Sequence, residues 1–218
     1  MPAAGWSWAL RCITDPRPGG RALLLARHGR TAWTGEGRYQ GRCDRPLSPE
    51  GWADAAGLAA ALASEPLAAI YTSPLLRARQ TADCIAGRRG DVAVIVDDRL
   101  AEIAFGDWEG CTQAEIRAAT PEALRRWKRD PGGMRFPGGE MLAEARVRLH
   151  AFLADLPARG GAVLAVTHAG MIRLACLDAE GRGDDGFRGI RIAPCAVRRF
   201  SLGGAAAAPP PSHHETVE

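Results

Sequence analysis

Residues 22–31 read ALLLARHGRT. Four apolar residues and an alanine run straight into an arginine, a histidine and a glycine. A short apolar run of this kind reads as a buried strand. The turn that ends it requires only Gly29, so Arg27 and His28 are there for something other than the turn.

Beyond this stretch, strand-like and helix-like segments alternate. SPEGWADAAGLAAALA opens with Ser48 as N-cap and Pro49 at the first helical position. Its Trp52, Ala55, Ala56, Ala59 and Leu62 follow the helical period. LAAIYTS (67–73) is a second buried strand, with a helix in PLLRARQTADCIAGRR after it. DVAVIVDDRL (91–100) is a β-branched run and a third strand. TQAEIRAAT and PEALRRWKRD are two short helices, stopped and restarted at Thr120-Pro121. PGGE opens a long helix whose Leu142, Ala145, Leu149, Phe152, Leu153 and Leu156 recur at three and four. GAVLAVT (161–167) is a fourth strand, AGMIRLACL a helix, and CAVRRFSL (195–202) an edge strand.

Such alternation implies right-handed crossovers and a largely parallel sheet covered on both faces. The expected fold is α/β: a three-layer α/β/α sandwich with a mostly parallel central sheet over residues 21–203. Residues 1–20 read as a loose lead-in, and residues 204–218 as a low-complexity, disordered tail that holds His213 and His214.

Bulk properties narrow the function. The 218 residues suit one sizeable domain, and 46% hydrophobic with 24% charged residues is ordinary for a globular chain. A net charge of +3 suits an anionic small molecule. No dense Lys/Arg run interleaves with aromatics, so nucleic acid is not the expected partner. The six cysteines are scattered without a C-x-x-C pair, which reads as free thiols in a reducing compartment. No zinc-ligand spacing and no apolar run of membrane length occur, so neither metal nor membrane is expected. The N-terminus lacks a basic region followed by a continuous apolar core, so the expected location is cytoplasmic. Monomer and homodimer are both compatible with the sequence.

In open α/β sheets, ligands bind beyond the carboxyl ends of the strands. Arg27 and His28 follow the first strand; Ser73, Pro74 and then Arg77 follow the second. Glu102 lies beyond the third, and the fourth ends in His168. Each residue alone has an ordinary reading, as a packed histidine, an exposed arginine or a surface carboxylate. Their shared placement at one edge of the sheet is what gives them weight. The chemistry suits a phosphoryl group. Arginine offers a planar fork of donors for phosphate oxygens. A histidine, with an ordinary pKa of about 6.5, can attack phosphorus. A carboxylic acid can protonate the departing oxygen and later deprotonate water. The cations supply the charge stabilisation that a metal supplies elsewhere, so no cofactor is called for.

RHGRTAW resembles the Arg-His-Gly-x-Thr signature of the histidine phosphatase superfamily, which includes the cofactor-dependent phosphoglycerate mutases. YQGRCDRPLSPEG, TSPLLRARQTA, LAEIAFGDWEG, FPGGE and VTHAG match further family segments, in order and with similar spacing. The resemblance covers residues 21–202 and implies the phosphoglycerate mutase-like sandwich. It implies that His28 is the phosphorylated nucleophile and that Arg27, Arg77 and His168 bind the phosphoryl group. Glu102, the first carboxylate of the family's E-x-x-x-G-x-W-E-G pattern, would be the proton donor, and Glu109 a structural carboxylate with a pocket role as the alternative. Gln40 and Gly41 fall in the loop that borders the phosphate in the family. Thr34 stands where the family often has a phosphate-holding Asn. Arg30, at a commonly acidic or polar position, is a candidate cation at the pocket mouth, with a solvated surface arginine as the alternative.

The mutases carry E-R-H-Y-G near the acid and a longer insertion. Here the text is EIAFGDWEG, and only about 65 residues separate Glu102 from His168. Both features resemble the phosphatase branch, within which YQGRCDRPLS and FGDWEG are similar to α-ribazole phosphatases and broad-specificity phosphatases. The expected activity is hydrolysis of a small phosphomonoester such as α-ribazole phosphate or a sugar phosphate. A mutase-type phosphotransferase and a non-catalytic phospho-ligand or partner-binding member are the alternatives. Trp33, Trp108 and Phe136 are either an apolar wall for the leaving group or core.

Overall fold

The computed structural model describes residues 10–12, 22–90, 92–157 and 161–202. The opening stretch forms β2 (Ala22–Arg27), which runs parallel to β5 (Ala162–Thr167). On the far side of β5 lie β3 (Leu67–Thr72) and β4 (Val94–Val96), also parallel. On the other flank β6 (Val197–Leu202) pairs antiparallel with β2, and β1 (Leu10–Cys12) pairs antiparallel with β6. The order is β1-β6-β2-β5-β3-β4.

Side chains alternate across a strand, so each central strand feeds two cores. Leu24, Ala26, Leu164 and Val166 pack with Leu58 and Ala59 of α2 (Pro49–Ala61) and Ala78, Ala82 and Ile85 of α3 (Leu76–Arg89). Leu23, Leu25, Val163 and Ala165 meet Leu142, Leu149 and Phe152 of α6 (Leu142–Ala154) and Leu174 of α7 (Ala169–Glu180). Complete burial of β5 on both faces explains its unbroken apolar sequence. Three short helices fill the remaining connections: α1 (Ala32–Glu36), α4 (Gln113–Ala119) and α5 (Pro121–Arg129). The fold is the three-layer α/β sandwich expected from the sequence.

Four details differ. Residues 10–12 of the supposed lead-in form a strand, so β6 is not an edge; β1 covers it. The third strand is three residues long and lies at the other edge, where Ile95 and Val96 are 45% and 50% exposed. Trp52 keeps the helical period but is 44% exposed, because α2 buries only its Gly51, Ala55, Leu58 and Ala59. The long helix begins at Leu142, after PGGE. The remainder of the lead-in and residues 203–218 lie outside the described residues. No described helix is long and apolar enough to cross a membrane.

Candidate active site

Because β2 and β3 flank β5, their carboxyl ends are neighbours. The backbone locks them together: His28 N–H donates to Thr167 O (3.0 Å), and Ser73 N–H donates to Val166 O (2.9 Å). Arg27 and His28 therefore stand beside His168, and Arg77 reaches in from the first turn of α3.

His28 is buried, and its Nδ1 lies 2.7 Å from Gly29 O. A carbonyl only accepts, so Nδ1 carries the proton and Nε2 keeps its lone pair. Arg77 Nε points at that lone pair from 3.3 Å. The His168 ring lies 5.1 Å away, centroid to centroid. Burial first, then the guanidiniums of Arg77 and Arg27, hold the His28 imidazole well below its usual range. It is neutral at physiological pH, as a nitrogen nucleophile must be.

Arg77 is fully buried and spends its fork on backbone oxygens: Nη1 donates to Cys43 O (2.8 Å) and Nη2 to Gly41 O (2.7 Å). Burial lowers its pKa to about 10, with Glu102 opposing the shift. It stays cationic. Arg27 donates from Nη1 to Ile192 O (2.7 Å), while its buried Nε has no partner among the described residues. His168 is fully buried, with Nε2 2.7 Å from Ser73 Oγ. Its Nδ1 is buried without a partner among the described residues. Burial, and after it Arg77, holds this ring well below the usual range too. A buried polar atom left without a partner costs about 1–3 kcal/mol, so Arg27 Nε at the cleft wall and His168 Nδ1 on the ring next to His28 are atoms for which a bound anion would supply the missing contact.

Glu102 is 7% exposed; Oε1 accepts from Ile103 N–H (2.9 Å) and Oε2 from Gly170 N–H (3.2 Å). Gly170 must be glycine, since a Cβ there would collide with the Glu102 carboxylate. The backbone around Glu102 is strapped by Arg148, which donates to Ala101 O and Glu102 O and pairs with Glu140 at 2.9 Å. Glu140 in turn accepts from Ala104 N–H. Glu109 accepts from the N–H groups of Arg42, Phe105 and Cys43, joining two loops rather than facing the cleft.

Of these groups, Arg27, His28, Arg77 and Glu102 line a cleft of about 420 Å³; His168 does not line it, its ring lying buried 5.1 Å from that of His28. Thr34, Gln40 and Gly41 line it as expected. Thr34 is tied into a local network, accepting from Thr31 N–H (3.1 Å) and Gln40 Nε2 (3.1 Å). Arg30 is a correction. It does not line the cleft, and instead grips Asp54 through Nε (2.7 Å) and Nη2 (2.8 Å). The arrangement of β2 before α2 brings Asp54 alongside, which the sequence does not announce. Trp33 lines the cleft, whereas Trp108 and Phe136 are core. Sequence reading missed Arg173, Arg188, Tyr39 and Phe105 in the lining, and the strap of Arg148 and Glu140. FPGGE was the available signal for Glu140; the placement of Arg173 just past the first turn of α7 was the signal for that residue.

A mostly parallel α/β sheet with two neutral histidines, one buried and one half-buried arginine and a carboxylate at its carboxyl rim defines a histidine phosphatase. A family model for the histidine phosphatase superfamily (branch 1) matches residues 23–208, and the chain belongs to that family. It is 40% identical over 148 residues to phosphoserine phosphatase 1 of Hydrogenobacter thermophilus, spanning 67% of this chain and 70% of that one. It is 32% identical over 186 residues to the 2,3-bisphosphoglycerate-dependent phosphoglycerate mutase 2 of Gloeobacter violaceus, spanning 82% and 84%. The structure of a mycobacterial glucosyl-3-phosphoglycerate phosphatase with VO3 superposes with a TM-score of 0.74 at 28% identity, covering 86% of this chain and 100% of that one. Longer mycobacterial relatives, 39% identical, are matched over 42% of their length.

Proposed function

We propose that the chain hydrolyses small phosphomonoesters through a covalent phosphohistidine at His28. The observation that carries this reading is the His28 Nδ1 bond to Gly29 O, which leaves Nε2 as a neutral lone pair beside Arg77. In the first step Nε2 attacks phosphorus, the P–O ester bond breaks, and the leaving oxygen takes a proton from the Glu102 carboxylic acid. In the second, Glu102 as carboxylate removes a proton from water as that water attacks phosphorus. The P–N bond breaks, inorganic phosphate leaves, and His28 and Glu102 return to their starting forms. Arg27, Arg77 and Nδ1 of His168 take up the charge on the phosphoryl oxygens.

The substrate is a phosphorylated metabolite of modest size. The lining holds Arg173 and Arg188 beside the inner arginines, with Glu102 as its carboxylate. That excess of positive charge favours esters with a second negatively charged group over those whose phosphate is the sole anion, such as α-ribazole phosphate. The relatives' names, phosphoserine and glucosyl-3-phosphoglycerate phosphatases, support the same choice. The mutase relative sustains a second reading, in which a sugar-acid oxygen replaces water as acceptor.

Brief incubation with a 32P-labelled phosphomonoester, quenched in alkali, tests the proposal. Label should appear on His28, be lost in acid, and be absent from His28→Ala. Turnover with no trapped label on His28 would refute the covalent route. In the same assay Glu102→Gln should slow alkyl esters about 100-fold while changing p-nitrophenyl phosphate, whose leaving group needs little protonation, far less. Formation of 2-phosphoglycerate from 3-phosphoglycerate with a trace of bisphosphate, faster than phosphate release, would establish the mutase reading instead.

A further inference from the structure

Ser73 ends β3 with its side chain wholly buried, 2.7 Å from His168 Nε2. We infer that Ser73 is a positioning residue, which fixes His168 as the tautomer carrying its proton on Nδ1 and thereby turns that N–H toward a phosphoryl oxygen. The inference rests on the reaction proposed at His28.

The protons at Ser73 and His168 can be counted. Ser73 Oγ accepts from Leu75 N–H at 3.3 Å and has one proton of its own. Among the described residues, the acceptor within reach of that proton is His168 Nε2. If Ser73 donates to Nε2, the hydroxyl is satisfied and the ring proton sits on Nδ1, the buried nitrogen that has no partner among the described residues. With the opposite tautomer, the hydroxyl proton and the Nδ1 lone pair would both be stranded in a dry site. In the reaction proposed here that lone pair would also meet phosphoryl oxygens, which it repels rather than binds. Because the ring is held neutral by its burial and by Arg77, it has one donor only, and its location decides whether His168 attracts the anion. The backbone of Ser73 is held in place, since its N–H is bonded to Val166 O on the neighbouring strand and Pro74 follows.

His28 forms a contrast. Its partner is a carbonyl, which can only accept, and the nitrogen left over is a lone pair. The partner of His168 is a hydroxyl that donates, and the nitrogen left over is an N–H. Two similar rings, 5.1 Å apart, are thus set to opposite roles by what holds their far sides.

Long-range 1H–15N spectra of protein labelled at histidine report which ring nitrogen is protonated. The chain has five histidines, and a His168→Gln variant assigns the one in question. In the wild type, His168 should be protonated at Nδ1 and not at Nε2. Ser73→Ala should mix the two forms, weaken orthovanadate binding about 10- to 100-fold, and lower kcat more than it raises KM. Ser73→Thr, which keeps the hydroxyl, should restore vanadate binding. A wild-type His168 protonated at Nε2 would overturn the inference. So would Ser73→Ala with unchanged tautomer and vanadate affinity. If Ser73→Ala fails to fold, the wild-type tautomer and the threonine variant decide. Failure of the underlying reaction is seen separately, as absence of phosphoryl label on wild-type His28.

Discussion

Burial sets the charge of His28 and of its neighbour His168, and this has a consequence for stability. His28 and His168 are held well below the usual histidine range by desolvation and by Arg77. Once unfolded they titrate near 6.5. Below that value the unfolded chain binds protons that the native state refuses, so stability is retained above about pH 6.5 and falls as pH drops. Each histidine adds about 1.4 kcal/mol per pH unit to the slope in that window. Denaturation curves between pH 7 and pH 5 should show the fall, and His168→Gln should remove about one proton's worth of slope. An unchanged slope would mean that His168 is protonated in the folded protein. At this scale the sequence was informative where a residue directly follows an apolar run, as Arg27, His28 and His168 do. It left Arg30 between the pocket mouth and the surface, and the exposed position beside Asp54 is set by the fold. It was silent on Tyr39 and Phe105, which the packing of distant loops turns toward the cleft.

Among the elements, α2 does more than cover the sheet. Ser48 caps it by accepting from Gly51 N–H at 3.1 Å, and Pro49 occupies its first turn. Both signals are local, which is why the start of this helix was legible to the residue. The role of Gly51 was not. A Cβ on Gly51 would collide with Arg30 O, and one on Gly29 would lie 2.5 Å from Gly51 O. The first turn of α2 thus sits directly on the loop that carries His28. Gly51→Ala should part them, lowering stability by about 1–3 kcal/mol and cutting activity at least about 10-fold. Gly57→Ala, on the exposed side of the same helix with open space around it, should instead stabilise by about 0.5–1 kcal/mol and leave activity intact. Thermal melts and phosphatase assays of the pair check both signs. A β-branched run misled at β4: ten residues suggested a strand, but it lies at the sheet edge and only three of them pair.

For the molecule as a whole, the alternation of strand and helix was enough to give the layers, because each crossover must bury its apolar face on the sheet. It could not give β1. Leu10–Cys12 pair with residues 200–202 from the opposite end of the chain, and three residues carry no period of their own. An uncovered β6 would expose a row of unpaired backbone groups. Deleting residues 1–12 should therefore lower Tm by about 5 °C and promote self-association, measured by calorimetry and light scattering. A variant as stable and monodisperse as the full chain would show that β1 contributes nothing to the sheet.

One guanidinium joins these scales. Arg77 holds the carbonyls of Gly41 and Cys43 with the same fork that borders His28. An arriving anion must share that fork with the chain segment already hanging from it. Grip on the ligand and order in the segment are then a single thermodynamic quantity, reciprocal by necessity. Loosening residues 41–43, without touching the ligand, would be felt as weaker affinity, and a bound oxyanion would quiet the amides of those three residues.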